Sequence, residues 1–329
     1  MTHLRRVGIR GTGSYLPVRV LSNDDLARMV DTSDDWITTR TGIKSRRIAA
    51  EGETTSDLAI VAARNALNAA GMKAEEIDLV IVATVTGDFR FPATACRVQA
   101  SLGAGHAGAF DVSAACSGFL YALSVGCAQI AAGAAENILL VGAETLSKVV
   151  DYGDRTSCIL FGDGAGAVIL STQFERGEVL DCKLFADGSG YDIMWIKSGG
   201  SAFPVTSEVL LAREQFMRIR GREVYKFAVN RFVELVQDQI DRHPSLEIGL
   251  VIPHQVNQRI IESAVEKLAL APGIVYSNID RYGNTSAASI PIALDEAIRG
   301  GVLADKVGKL IVFCAFGAGL TWASGALKW

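Results

Sequence analysis

IDLVI at residues 77–81 recurs as IGLVI at residues 248–252, an offset of 171 residues (248 minus 77) in a chain of 329 residues. SAAC at residues 113–116 recurs as SAAS at residues 286–289, at the nearly equal offset of 173 residues (286 minus 113). Two matches in the same order, about half the chain apart, indicate an internal duplication. This repeat decides the fold prediction, because it makes the chain two copies of one structural unit.

A third, looser match marks the end of each half, where FGDGAG begins at Phe161 and FGAG begins at Phe316. Its offset is shorter, 155 residues (316 minus 161), so we expect the halves to differ in their later loops. We assign residues 1–173 to the first half and residues 174–329 to the second. Two similar halves related by a pseudo-twofold axis bring equivalent strand ends together near the middle of the molecule.

Short apolar runs alternate with longer helical patterns along the chain. IDLVIVATV (77–85) and NILLVGAE (137–144) are typical of buried strands. TTSDLAIVAARNALNAAG (54–71) is typical of a helix that starts at a Ser/Thr/Asp cap and ends at a glycine. HAGAFDVSAAC (106–116) predicts a strand that leads into an apolar helix. The alternation predicts an α/β protein with strands and helices in layers.

The composition argues against several classes of function. Apolar residues make up 49% and charged residues 21% of the chain, as in an ordinary soluble globular protein. The formal net charge of −4 gives no strong field that would attract a nucleic acid. Residues 112–135 contain no charged side chain, but their serines, glycines and acidic flanks favour a buried helix over a membrane span. A secretory leader is not expected either, since no apolar run follows the first arginines.

The six cysteines and four histidines are scattered, without the spacing of a zinc site or of a disulfide framework. We therefore expect no metal ion, and a reducing, cytoplasmic location. His3, His106 and His243 are predicted to be surface residues. His254 follows the strand IGLVIP, at the edge where α/β sheets bind ligands. A structural histidine in a loop is the alternative interpretation of His254.

Cys116 is the candidate nucleophile. It lies between a predicted strand and an apolar helix, where the helix dipole and free N–H groups favour the reactive thiolate. A packed core cysteine is the alternative. The SAAC/SAAS match places Ser289 at the equivalent position of the second half, so only one half carries a thiol. Asn284, in a Gly-Asn turn before the second-half helix, is either a turn residue or a site residue.

Six motifs fall in order along the whole chain: TSDDWITTRTGI (32–43), DVSAACSGF (111–119), FGDGAGAV (161–168), PHQVNQRI (253–260), YGNTSAASIP (282–291) and FGAGLTW (316–322). Together they resemble the β-ketoacyl-acyl-carrier-protein synthase III family, the initiating condensing enzymes of bacterial type II fatty-acid synthesis. The resemblance implies the thiolase-like duplicated fold, layered α-β-α-β-α with two pseudo-dyad-related halves. It also implies a decarboxylative condensation of an acyl-CoA, acetyl-CoA by default, with malonyl-acyl-carrier protein.

The residue roles follow from this resemblance alone. It implies that Cys116 forms an acyl-thioester, and that His254 and Asn284 hold the malonyl thioester carbonyl. The other implied site residues are the oxyanion loop Gly317, Ala318 and Gly319; the pocket residues Phe161 and, across a dimer interface, Phe91; the coenzyme A contacts Trp36, Arg40, Arg155 and Arg222; and the carrier-protein contacts Arg259, Lys226 and Lys267. The resemblance implies a homodimer, and coenzyme A thioester as substrate, with no cofactor. Glu266 stands where some relatives have a lysine, which lowers the positive charge expected there.

Other functions remain open at this point. A thiolase-type reaction uses a second cysteine as base, and Cys314 lies near the C-terminus. 3-Hydroxy-3-methylglutaryl-CoA synthases and secondary-metabolite condensing enzymes share the implied fold. A cysteine hydrolase would release free acid from an acyl-CoA. A non-catalytic coenzyme-binding scaffold would do neither, although all three residues of the implied Cys–His–Asn triad are present.

Overall fold

Strands and helices alternate along the chain in the computed structural model, which describes residues 4–329. The strands are β1 (Gly8–Tyr15), β2 (Arg19–Ser22), β3 (Ser45–Ile48), β4 (Leu79–Ala83), β5 (Gly108–Val112), β6 (Asn137–Glu144), β7 (Gly164–Ser171), β8 (Glu178–Ala186), β9 (Met194–Trp195), β10 (Arg218–Ile219), β11 (Ile248–Pro253), β12 (Leu310–Gly317) and β13 (Thr321–Lys328). The helices are α1 (Asn23–Ala27), α2 (Asp34–Thr41), α3 (Thr55–Ala70), α4 (Thr94–Leu102), α5 (Gly118–Ala131), α6 (Ser207–Leu211), α7 (Gly221–Arg242), α8 (Gln258–Leu268), α9 (Ile279–Tyr282) and α10 (Ser289–Arg299). The strands β6 and β11 match the predicted strands to the residue.

The two halves repeat one strand order. The first half runs β5-β4-β6-β7-β1 and the second runs β11-β12-β13-β8. In each, a parallel pair (β4 with β6, β11 with β12) continues into antiparallel neighbours. Val275 pairs with Val251 of β11 by a single bridge, where the first half has β5. The duplication predicted from the repeat is therefore visible in the topology, while the boundary at residue 173 stays a prediction.

The strands of the two halves form one continuous sheet, in which β1 and β8 pair at Gly8 opposite Glu178. The central layer consists of α5 and α10, which bury Leu120, Leu123 and Ile290 against strands of both halves. Each such side chain contributes about 1.5–3 kcal/mol when it leaves water. Outer layers are formed by α3 and α4 on the first sheet, and by α7 and α8 on the second. This is the predicted α-β-α-β-α arrangement.

The helix α3 shows how local signals set the bounds. The Thr54 side chain accepts from the N–H of Asp57, and the Asp57 side chain accepts in return, so the helix begins with a capping box. It ends at Gly71, whose φ of 62° is left-handed. The charge-free stretch 112–135 is divided between a strand end, a tight turn and the 14-residue helix α5. Among residues 4–329, every helix is too short or too polar to span a bilayer.

The structure corrects the register of the second repeat. Both central helices follow a 3₁₀ turn whose first residue has positive φ, Ala115 (47°) in one half and Ser286 (49°) in the other. The offset between these residues is 171 (286 minus 115), equal to that of the IDLVI repeat. The counterpart of Cys116 is therefore Ala287, and the prediction that Ser289 takes that position is wrong by two residues. The segments are rich in Ser and Ala, so a four-letter match fits in a shifted register.

Candidate active site

Cys116 lies in the tight turn between β5 and α5. The positive φ of Ala115 reverses the chain just before the cysteine, and α5 begins two residues after it. The residue is 6% exposed. The N-terminal N–H groups of a helix attract negative charge, so the turn presents the sulfur to a favourable end of α5.

The protonation state of this thiol differs from the sequence-based prediction. Burial raises the pKa of the Cys116 thiol to about 12; the Ser286 hydroxyl acts to lower it, and the nearby Glu144 carboxylate raises it. The expectation of a resting thiolate is thus wrong, because desolvation outweighs the hydrogen bond and no cation of residues 4–329 is among the causes that shift the pKa. The proton must leave Cys116 in the course of attack on the substrate.

His254 follows β11 and is completely buried. Its Nδ1 lies 2.7 Å from the Ser289 hydroxyl oxygen, whereas its Nε2 is buried without a hydrogen-bond partner among the described residues. Burial lowers the pKa of the imidazole to about 3, so His254 is neutral at physiological pH. A neutral ring with one unpaired nitrogen is suited to bind a polar atom of a ligand.

Asn284 is held by the backbone on both sides. Its N–H donates to the carbonyl of Leu160 at 2.8 Å, and its carbonyl accepts from the N–H of Gly162 at 3.0 Å. The side-chain oxygen accepts from the N–H of Ser286 at 2.8 Å, which fixes the orientation of the amide. The side-chain Nδ2 group is therefore the end of Asn284 that is available to the cavity it lines.

One narrow cavity of about 50 Å³ is lined by Cys116, His254 and Asn284 together. Phe161 and the loop residues Gly317, Ala318 and Gly319 are also part of its wall. The ring of Phe316 packs edge-on against the ring of His254, with 5.9 Å between the ring centres. The structure thus brings the three predicted triad residues to one place, with the sulfur from the first half and both nitrogens from the second.

The 317–319 loop lies directly against the nucleophile turn. A Cβ atom placed on Gly317 would be 2.8 Å from the amide nitrogen of Cys116 and 3.1 Å from that of Ser117. Among the described residues, the N–H groups of Cys116 and Ala318 donate to no backbone carbonyl of a turn or loop, and the Cys116 N–H interacts with its own thiol, whose pKa it lowers. Two free amides beside the sulfur are the arrangement that stabilises an oxyanion during acyl transfer.

Cys116 also lines a second cavity, of about 240 Å³. Its wall is mostly apolar and includes Val85, Leu146, Ile196 and Met217. Phe91, predicted to bound this pocket, is 86% exposed and lines neither cavity within the single chain. It belongs to a surface loop that also exposes Val85 and Phe89.

The predicted coenzyme A contacts are partly clustered. The guanidinium carbon of Arg40 lies 4.4 Å from the ring centre of Trp36, and that of Arg155 lies 5.2 Å from it. These contacts are cation–π interactions, and a flat base that stacks on Trp36 would compete with them. Arg222 is exposed in the first turn of α7.

The predicted carrier-protein contacts lie on two packed helices. Lys226 is on α7, and Arg259 and Lys267 are on α8; all three are exposed. The helices are linked where Tyr225 of α7 and Ser263 of α8 share a hydrogen bond of 2.9 Å. Glu266 is also exposed, next to Lys267, so the surface carries mixed charge.

Two other predictions are settled by burial. Cys314 is fully buried in β12, within the apolar core beneath α7 and α8, and it lines neither cavity. Burial raises the pKa of its thiol far above the ordinary value, so it is poorly suited to act as a thiolase base. His106 is exposed as predicted; His243 is not, since its side chain is 18% exposed and lies 3.4 Å from Asp181. His3 lies outside the described residues.

Sequence reasoning missed two groups around the triad. One is the fully buried Glu144, whose carboxylate accepts from the N–H groups of Val85 and Thr86 and from the hydroxyl of Ser286. Burial raises the pKa of Glu144 to about 7. The sequence did offer one indication of a buried carboxylate, since Glu144 is a charged residue at the end of the apolar strand NILLVGAE. The other is Ser289, whose contact with His254 nothing in the local sequence indicates.

Comparison with known proteins shows which sequences and structures this chain resembles. One family model, 3-oxoacyl-[acyl-carrier-protein] synthase III, matches residues 110–188. A second model, for the C-terminal part of the same family, matches residues 243–329. The β-ketoacyl-[acyl-carrier-protein] synthase III of Caldanaerobacter subterraneus subsp. tengcongensis is 50% identical over 98% of this chain and 97% of its own. The solved 3-oxoacyl-[acyl-carrier-protein] synthase III of Aquifex aeolicus is 46% identical, with a TM-score of 0.89 over 98% of this chain and 100% of its own. The priming β-ketosynthase of the R1128 polyketide pathway is 33% identical, with a TM-score of 0.90 over 99% of this chain and 97% of its own.

Proposed function

Since the chain belongs to the 3-oxoacyl-[acyl-carrier-protein] synthase III family, we propose that it catalyses the initiating condensation of fatty-acid synthesis. The reaction joins an acyl-CoA primer to malonyl-acyl-carrier protein with loss of carbon dioxide. The observation that supports our assignment of roles is the single cavity shared by Cys116, His254 and Asn284.

The first step transfers the acyl group to the enzyme. Cys116 releases its thiol proton to water and attacks the thioester carbonyl of the acyl-CoA; the C–S bond to coenzyme A breaks, and the coenzyme A thiolate leaves and takes a proton from water. The amides of Cys116 and Ala318 donate to the tetrahedral oxyanion, and each donor of this kind contributes about 3 kcal/mol to the transition state. The acyl chain then occupies the second, mostly apolar cavity that Cys116 lines.

The second step needs hydrogen-bond donors at the malonyl thioester. When the carboxylate leaves as carbon dioxide, the electron pair of the broken C–C bond moves onto the thioester as an enolate. His254 Nε2 and Asn284 Nδ2 lie in the same cavity and serve as donors to the enolate oxygen. The low pKa of His254 keeps the ring neutral, so decarboxylation calls for no charged donor.

The third step forms the new C–C bond. The enolate carbon attacks the acyl-thioester on Cys116, the sulfur leaves as thiolate, and this thiolate takes a proton to restore the thiol. One proton is consumed overall, on the released coenzyme A. Every step moves only a proton or the electron pair of a C–S or C–C bond, so the proposed sequence calls for no metal or redox cofactor. The first thiol product leaves before the second substrate binds, which predicts ping-pong kinetics.

Radiolabelled acyl-CoA tests this assignment directly. We expect Cys116→Ala to abolish labelling, whereas Cys96→Ala, which removes an exposed thiol on α4, keeps it. His254→Ala should keep labelling and stop release of carbon dioxide from the malonyl thioester. Loss of labelling with decarboxylation intact in His254→Ala would reverse the two roles. Release of free acid without condensation would favour a cysteine hydrolase.

Primer size is the finer point of the proposal. Acetyl-CoA is the default from the family resemblance, yet the cavity of about 240 Å³ is large for a single methyl group. Burial of each further CH₂ group of an acyl chain against this apolar wall contributes about 0.8 kcal/mol, which gives a physical reason for a longer primer. Intact mass of the protein after mixing with acyl-CoAs of increasing length identifies the primer.

We also propose the partners that the family resemblance implies. Coenzyme A binds at Trp36, Arg40, Arg155 and Arg222, and the acidic carrier protein binds at Arg259, Lys226 and Lys267. The exposed apolar loop around Phe91 lies beside the acyl cavity, which supports a homodimer in which this loop is covered by a second copy. Sedimentation of Phe91→Asp as a monomer would support this; an unchanged dimer would contradict it. The free cysteines suit a reducing, cytoplasmic location.

A further inference from the structure

Ser289 contacts the one side of the His254 ring that does not face the cavity. Its hydroxyl oxygen lies 2.7 Å from His254 Nδ1 and accepts a longer bond, of 3.4 Å, from the backbone N–H of Gln255. Ser289 is 2% exposed and His254 is completely buried, so water does not substitute for these contacts. The hydroxyl has no further hydrogen-bond partner among the described residues.

The position of the hydroxyl hydrogen follows from these partners. The Gln255 N–H can only donate, so it takes a lone pair of the Ser289 oxygen. If His254 Nδ1 also donated, the hydroxyl hydrogen would be buried without an acceptor, which is costly. The arrangement that satisfies every group has Ser289 donating to Nδ1. A neutral imidazole that accepts at Nδ1 carries its hydrogen on Nε2.

We propose that Ser289 is a positioning residue that holds His254 in the Nε2–H tautomer, so that this histidine is a hydrogen-bond donor in the cavity. The inference rests on the proposed function and deepens it. It makes His254 a donor to the malonyl thioester carbonyl, and it excludes Nε2 as the group that takes the proton of Cys116. The unpartnered Nε2, in the cavity shared with Asn284, is the atom that the substrate oxygen meets.

A comparison with the first half shows why a positioning serine like Ser289 is found in the second half alone. The residue equivalent to Ser289, at an offset of 171, is Gly118 at the start of α5. A Cβ atom on Gly118 would lie 3.3 Å from the Cβ of Ala83 and 3.5 Å from that of Ala287. The first half therefore has little room for a side chain at this position, and the second half uses the space for a hydroxyl.

Nitrogen NMR of protein labelled with ¹⁵N-histidine measures the tautomer without any substrate. The His254 signals are assigned by their loss in His254→Gln. We expect the wild-type protein to show a bare Nδ1 and a protonated Nε2 from pH 6 to pH 9. A proton on Nδ1 of His254 in the wild-type protein would overturn the proposal, whatever the variants do.

Ser289→Ala supplies the second readout. We expect a mixed tautomer signal, a fall of about tenfold in the rate of carbon dioxide release, and acyl labelling of Cys116 within twofold of wild type. Ser324→Ala is the matched control, since it removes another buried hydroxyl, bonded to Gln239 at 2.8 Å, and should change neither rate. An equal loss of labelling and decarboxylation in Ser289→Ala would contradict a role through the tautomer. Failure of wild-type Cys116 to label would instead contradict the proposed function and leave the NMR result standing.

Discussion

Replacement of Gly317 by alanine tests the contact between the oxyanion loop and the nucleophile turn. The added Cβ would lie 2.8 Å from the Cys116 nitrogen, about 0.6 Å inside the 3.4 Å at which ordinary contact begins. The next atoms, the Ser117 nitrogen at 3.1 Å and the Ala114 oxygen at 3.2 Å, are also backbone, so no side chain can rotate away. The φ of Gly317 is −148°, which alanine adopts without strain, so the effect comes from this overlap alone.

The size of the effect follows from the displacement. Relief of the overlap requires the loop and the turn to separate by several tenths of an ångström, beyond the roughly 0.5 Å within which catalytic groups must be held. Loss of one oxyanion donor costs about 100- to 1000-fold in rate, so a partial displacement should slow acylation by about 10- to 100-fold. Overpacking should also lower the free energy of unfolding by about 1–3 kcal/mol.

The assay is the single-turnover rate of acyl transfer from labelled acyl-CoA, measured beside urea denaturation. Gly319→Ala is the matched control from the same loop. It strains a left-handed backbone, with φ of 78°, but its Cβ would come no closer than 3.8 Å to another residue. We expect it to lose stability and to retain most of the acylation rate. If Gly317→Ala acylates at the wild-type rate, the loop is not held against the nucleophile as described.

Three further predictions concern charge and cavity shape. Burial raises the pKa of Glu144 from 4.5 to about 7, so the folded state binds a proton more tightly than the unfolded state. The free energy of unfolding of the wild-type protein should therefore fall by roughly 2 kcal/mol more than that of Glu144→Gln when the pH rises from about 5 to about 8. Denaturation curves of both proteins at the two pH values measure this difference. A pH-independent difference would contradict the raised pKa. Ile196→Phe, which fills the acyl cavity, should keep acetyl labelling and exclude octanoyl labelling by intact mass; equal octanoyl labelling would place the chain elsewhere. Arg259→Glu and Lys226→Glu should raise the KM for malonyl-acyl-carrier protein, and wild-type binding should weaken with added salt; an unchanged KM would move the docking surface off α7 and α8.

The parts of the fold that were predictable rest on local and periodic signals. The Thr54 cap and Gly71 stop define α3, and apolar runs define β6 and β11, because these features depend on residues close in sequence. The duplication was visible because IDLVI and IGLVI occupy equivalent strands. The register of the SAAC/SAAS match failed because residue type alone does not report the positive φ that marks the equivalent positions Ala115 and Ser286.

The residues of the site were predictable from the sequence, but their protonation states were not. The motifs brought Cys116, His254 and Asn284 forward, but their protonation depends on how completely the surrounding elements exclude water. Desolvation gives a protonated thiol and a neutral imidazole, and no sequence pattern reports it. Glu144 and Ser289 were missed for a related reason, since each acts through a contact with a residue distant in sequence, Ser286 for Glu144 and His254 for Ser289.

The division of the reaction centre between the halves has a mechanical consequence. The sulfur is anchored to one half of the molecule and both nitrogen donors to the other, so their spacing depends on how the halves are docked. A shift of a few tenths of an ångström between the halves would lower the rates of acyl transfer and of decarboxylation together, although every site residue would still be present. The packing of the two central helices is therefore part of the catalytic apparatus, because it fixes the distance between the sulfur and the two nitrogen donors.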